Sequence, residues 1–123
     1  MDAKELKARV LAQRAFTVER DGFTFSCRLP FDLDMRTIFA EQENRELAGQ
    51  AVTRKALVGW SGVRSEHVLE DAPEAVANNA IEFEPEWLDL FFADRGALYF
   101  DIAGEVFSRI AARQKRVEAA AKN

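Results

Sequence analysis

The stretch Phe16-Thr17-Val18-Glu19-Arg20-Asp21-Gly22-Phe23-Thr24-Phe25-Ser26-Cys27-Arg28-Leu29 decides the fold. Asp21-Gly22 tolerates the positive φ angles of a two-residue type I′ turn. After it, Phe23, Phe25, Cys27 and Leu29 alternate with Thr24, Ser26 and Arg28, the period of a strand with one buried face. A two-residue loop sets Arg20 opposite Phe23, Val18 opposite Phe25 and Phe16 opposite Cys27, so the apolar sides of both strands share a face. Pro30 ends the second strand because it has no N–H for the ladder. Residues 16–30 are thus predicted to form a β-hairpin.

Outward from the hairpin the chain reads as helices. Residues 1–15 form an N-terminal helix with Leu6, Val10 and Leu11 on one side and Lys4, Lys7, Arg9 and Arg14 around the rest. Asp32 or Asp34 caps a helix predicted over 32–56. Its stripe is thin (Met35, Ile38, Phe39, Leu47, Ala51, Val52), its middle is polar, and Gly49 is its weak point. Leu57 to Val63 is apolar and too short for a helix, an extended segment pinned by Trp60. Residues 64–80 form an acidic loop carrying Glu66, Glu70, Asp71 and Glu74, with room for one helical turn in Asp71–Asn79. Pro85, followed by Glu86, marks a helix start. The helical C-terminal part covers 85–121, interrupted at Arg95-Gly96 and fraying after Arg116. The fold class is α+β: a single domain, 1–123, with the hairpin against several helices and a long last helix.

Bulk properties narrow the function. A chain of 123 residues supports one core, burying roughly two thirds of its unfolded surface. Net charge is -4, which argues against a protein whose main work is holding phosphate backbones. Arg109, Arg113, Lys115, Arg116 and Lys122 cluster late, where cations oppose the negative end of a helix dipole, and no aromatic residue follows Phe107 to stack bases. No nucleic-acid partner is expected.

Cys27 is the only cysteine and His67 the only histidine. A zinc site of the usual kind therefore cannot be assembled from this chain. A nucleophile relay would need His67, read as an exposed loop residue, while Cys27 reads as a buried inert thiol. Phosphate-cradling glycine motifs and calcium-loop spacing are both missing. No catalytic residue, cofactor or metal is read from the sequence. No run is long and apolar enough to span a membrane and no leader is recognised at the start, so the expected compartment is the cytoplasm.

What is present is an apolar surplus. Trp87, Phe91, Phe92, Tyr99, Phe100 and Phe107 crowd into one region. On the short helix, Trp87, Leu88, Leu90, Phe91 and Phe92 cover more than the roughly 100° arc that a surface helix needs. The helix is enclosed by its own domain, or part of it meets another chain. Trp87, Phe91, Phe92 and Tyr99 are the candidate partner-binding residues. Asp21, Gly22, Trp60 and Pro85 are the candidate structural ones. The same surplus leaves room for a homo-oligomer.

From about residue 16 onward the order of parts resembles a family. A hairpin and a polar helix precede Leu57-Val58-Gly59-Trp60-Ser61-Gly62-Val63. An acidic loop then leads to Phe83-Glu84-Pro85-Glu86-Trp87-Leu88, and a long helix ends in Lys122-Asn123. This resembles the small tail assembly chaperones of long-tailed bacteriophages and prophages, encoded just before the tape-measure protein. Glu84 stands where that family often has Ser or Thr. The resemblance implies a non-enzymatic chaperone in the bacterial host cytoplasm. It would shield the helical tape-measure protein, recruit tail-tube subunits and have no cofactor. The family often has a longer frameshifted form. The competing readings are another phage morphogenesis factor (a tail terminator or head–tail joining protein) and a small nucleic-acid-binding regulator.

Overall fold

A computed structural model describes residues 1–122. The hairpin forms in the register set by its turn: β1 (Ala15–Arg20) pairs with β2 (Phe23–Arg28), with Arg20 opposite Phe23, Val18 opposite Phe25 and Phe16 opposite Cys27. Asp21 and Gly22 both take positive φ, 56° and 84°, as a type I′ turn requires. Val18, Phe23, Phe25 and Cys27 are buried on one face.

The extended segment after the helices becomes a strand. β3 (Leu57–Ser61) pairs antiparallel with β2, completing a sheet in the order β1-β2-β3. Gly59 sits opposite Ser26 and Leu57 opposite Cys27, so Val58 is the extra residue of a bulge. A Cβ on Gly59 would lie 3.3 Å from Ser26 Cβ, so the missing side chain lets the two strands approach here. Trp60 fastens the end of β3: its indole N–H donates to the Ile81 carbonyl at 2.8 Å, and its ring lies 5.2 Å from Phe83.

Helix α1 (Ala3–Gln13) is capped by Asp2, whose carboxylate accepts the Glu5 N–H. It buries none of its residues. Arg14, which the sequence groups with the solvated cations, is instead buried. It donates to the carbonyls of Leu29 and Pro30 at 2.8 and 2.6 Å, and its guanidinium lies 4.3 Å from the Phe31 ring centroid. It thus holds the end of β2 through carbonyls that no strand neighbour satisfies.

The single helix predicted over 32–56 is two helices. α2 (Asp32–Glu41) and α3 (Arg45–Ala56) are separated at Gln42–Asn44, and Gly49 lies inside α3. The break falls where the sequence has nothing apolar to bury and where Asn44 can cap, its side chain accepting the Leu47 N–H. Asp32 and Asp34 lie in the first turn of α2 and do not cap it; Phe31 is the residue before it.

The acidic loop holds a 3-10 turn at Ser65–His67 and a helical turn, α4 (Glu74–Ala77), and is tied at its ends by a bridge between Arg64 and Ala80. Pro85 opens α5 (Pro85–Phe92), with no side-chain cap from Glu84. α6 (Gly96–Lys122) stays helical through the stretch expected to fray. The core lies between the sheet and α3, α5 and α6, around Phe25, Val52, Phe91, Ile102 and Val106, all with no exposed surface. Truncating one of these phenylalanines to Ala would cost about 3–5 kcal/mol.

Candidate partner-binding groove

Three helices leave an apolar groove where they converge. α3 contributes Leu47 and Ala51, α5 contributes Leu88 and Phe92, and α6 contributes Tyr99 and Phe100, around a volume of about 430 Å3. The floor is firm. Phe92 stands edge-on to Tyr99 with centroids 5.1 Å apart, and the Tyr99 hydroxyl donates to the Gln50 carbonyl at 2.6 Å, locking α6 to α3. Burial raises the Tyr99 pKa above its usual value. The rim is open, with Phe100 65% exposed and Leu47 39% exposed. At one end an Arg54–Asp89 ion pair supplies a charged border.

Two further hollows lie along α6, apart from the groove. One lies between α2 and α6 over Met35, Phe39, Phe107 and Ile110, and the next uses Met35, Ile110, Leu29 and Val117. They share Met35 and Ile110, so they join. Arg36 and Arg45 border the first of them.

The four aromatic candidates separate here. Phe92 and Tyr99 line the groove. Phe91 has no exposed surface and sits at the core centre against Phe23, Phe25 and Trp60, so it has nothing to offer a partner. Arg95 closes the end of α5 over it, with its guanidinium 4.4 Å from the Phe91 ring centroid and a hydrogen bond to the Phe91 carbonyl. Trp87 is half-buried on α5 and does not line the groove. Sequence reasoning missed Leu47, Ala51 and Arg54 as groove residues. Leu47 and Ala51 were legible only as a thin helical stripe, with no sign of which helix they would face.

No family model, no curated protein and no solved structure matches this chain.

Cys27 and His67, the one cysteine and the one histidine, do not line the groove. Cys27 is buried in the sheet, and desolvation pushes its thiol up to about 12. His67 is half-buried rather than exposed: its ring stands edge-on to Phe23 with centroids 4.9 Å apart, and Nδ1 accepts the Arg64 N–H. Burial first, then the Arg64 charge, lowers its pKa. Among the described residues no cluster of three or more His, Cys, Asp or Glu is placed to hold a metal. In the late basic cluster, Arg109 pairs with Glu105 and lies 4.6 Å from the Phe16 ring centroid, while Arg113 borders an apolar hollow. No described helix is long and apolar enough to cross a membrane.

Proposed function

We propose that this protein is a non-enzymatic binding factor that shields an apolar helix of another protein, as a tail assembly chaperone of the phage kind does for the tape-measure protein while tail-tube subunits are recruited. The supporting observation is the open groove between α3, α5 and α6, where Leu47 and Phe100 stay exposed above a floor of Phe92 and Tyr99. A monomer gains nothing from leaving a 65% exposed phenylalanine beside an apolar hollow. A partner does gain, since burying one such ring contributes about 1.5–3 kcal/mol. A few such contacts reach micromolar affinity, about 8 kcal/mol, once association costs are met. An amphipathic helix fits a groove of this shape, inserting apolar side chains at three- and four-residue steps. Charged residues at the border, Arg54 and Asp89, favour a partner that is apolar on one face only.

The test is co-purification of the full chain with a helical fragment of the tape-measure protein, comparing wild type with Leu47→Asp. Leu47 lies in the first turn of α3, where an added carboxylate suits the helix dipole, so the variant is expected to fold. Loss of the fragment with the fold retained supports the proposal. Unchanged capture by Leu47→Asp removes the groove as the site.

A further inference from the structure

The hollow beyond the carboxyl end of β2 holds a charge that the fold leaves uncompensated. It is bounded by Leu29 and Pro30, by Met35 of α2, and by Ile110 and Val117 of α6, around a volume of about 350 Å3. That is at the small end of the range for small-molecule sites. Leu29 and Pro30 are buried, while Val117 stays 51% exposed on the wall.

Two guanidiniums line this hollow, those of Arg14 and Arg113. Arg14 is only 6% exposed, yet it makes no ion pair among the described residues. Its Nε and Nη2 donate to neutral oxygens, the carbonyls of Leu29 and Pro30, and Nη1 donates to nothing. No enclosed side-chain nitrogen or oxygen among the described residues lacks a partner. Nη1 therefore reaches open space, and the hollow is the space that Arg14 lines. Arg113 is half-buried and has no ion pair either. A guanidinium cannot shed its proton to escape burial, and buried charges are ordinarily paired. Burial first, then the Arg113 charge, lowers the Arg14 pKa, so the two cations feel each other. The carboxylates of the hollow do not settle this charge. Asp32 is held by Arg36 at 2.8 Å, and Glu118 offsets at most one of the two arginines. A single positive charge is left beside an apolar wall.

We propose that this hollow binds a small monocarboxylate with an apolar tail, its carboxylate held by Arg14 and Arg113 and its tail laid over Met35, Ile110 and Val117. A planar carboxylate matches the fork of N–H donors on a guanidinium. It also supplies the anion that the buried Arg14 lacks. A dianion such as a phosphate monoester brings more charge than the hollow is missing and meets Glu118 at its border. A cation meets two arginines. The site shares no lining residue with the α3–α5–α6 groove and does not depend on what the groove binds.

Isothermal titration calorimetry of the full chain with octanoate measures the binding. The expected dissociation constant is below roughly 1 mM, with acetate, which has no tail, and octylamine, which has the opposite charge, bound about tenfold more weakly or less. Arg113→Gln spares the carbonyl contacts that make Arg14 structural. It is expected to keep the circular dichroism of wild type and to weaken octanoate about tenfold. Val117→Asp, at an exposed position of α6, is expected to do the same by placing a carboxylate on the wall. Leu47→Asp, in the groove, is expected to bind octanoate as wild type does. No octanoate binding up to roughly 10 mM, unchanged binding by Arg113→Gln, octylamine bound as well as octanoate, or loss of octanoate binding in Leu47→Asp overturns the proposal. Octyl phosphate bound more tightly than octanoate overturns the choice of a monoanion.

Discussion

Phe91 and Phe92 stand edge to face, with centroids 5.0 Å apart and planes at 86°, and between them the molecule passes from core to the apolar groove. Phe91 touches Phe23, Phe25 and Trp60. Phe92 touches Phe25 on one side and Tyr99 at the groove floor on the other. Neighbouring residues of one short helix thus serve different ends, because α5 is apolar over a wider arc than one contact requires.

The pair is expected to respond unequally to truncation. Phe91→Ala leaves an enclosed cavity and should cost about 3–5 kcal/mol, whereas Phe92→Ala opens into the groove and should cost about 2–3 kcal/mol. Urea unfolding of the two variants measures the difference. Equal losses would mean that the groove closes over Phe92 in solution.

Arg14 is expected to matter more than a solvated cation. Arg14→Met keeps the apolar stem and removes the donors to the Leu29 and Pro30 carbonyls. The expected loss is about 2–3 kcal/mol, since buried carbonyls are left without partners. Arg9→Met, on the exposed surface of α1, should change stability by less than about 0.5 kcal/mol. Thermal or urea unfolding compares them.

Gly62 takes φ of 85°, and a Cβ there would lie 3.0 Å from the Gly22 carbonyl oxygen. The turn after β3 therefore nests against the hairpin turn. Gly62→Ala meets an unfavourable backbone angle and a backbone clash together, and should cost about 1–3 kcal/mol. Denaturant unfolding checks the size.

Acid is expected to weaken the fold through His67. Its folded pKa lies below the unfolded value of 6.5, chiefly through burial. The unfolded chain therefore takes up the proton first as pH falls. The contribution of neutral His67 is complete above the unfolded value and is lost as pH drops through the folded one. Protonation also removes the acceptor at Nδ1 that holds the Arg64 N–H. Thermal midpoints of wild type should fall between about pH 7 and pH 5 more steeply than those of His67→Gln.

How much of this was legible in the sequence follows from the range of each interaction. The register of the hairpin was readable to the residue, because Asp21-Gly22 and the period-two pattern are local, while β1 starts at Ala15 and β2 ends at Arg28, short of Pro30. β3 was readable only as an extended piece, since its pairing with β2 reaches across α2 and α3 and includes a bulge at Val58. The break between α2 and α3 was misplaced at Gly49. Asn44 ends the polar run with a cap, while Gly49 lies under Phe107, whose ring carbon would come 3.9 Å from a Cβ added there. For the groove, the aromatic surplus named the segment that supplies Phe92 and Tyr99 to its lining. It did not separate Phe91 from them or bring in Leu47, because both depend on how α3 packs against α6.

The central claim is that the α3–α5–α6 groove takes an apolar helix from another protein. The most direct measurement is a binding titration of the full chain with a helical tape-measure fragment, run in parallel for wild type and Leu47→Asp. The expected result is micromolar binding by wild type and at least tenfold weaker binding by the variant, roughly the 1.4 kcal/mol of a lost apolar contact, with circular dichroism unchanged. Equal affinity of the two proteins, or no binding by wild type, would contradict the claim.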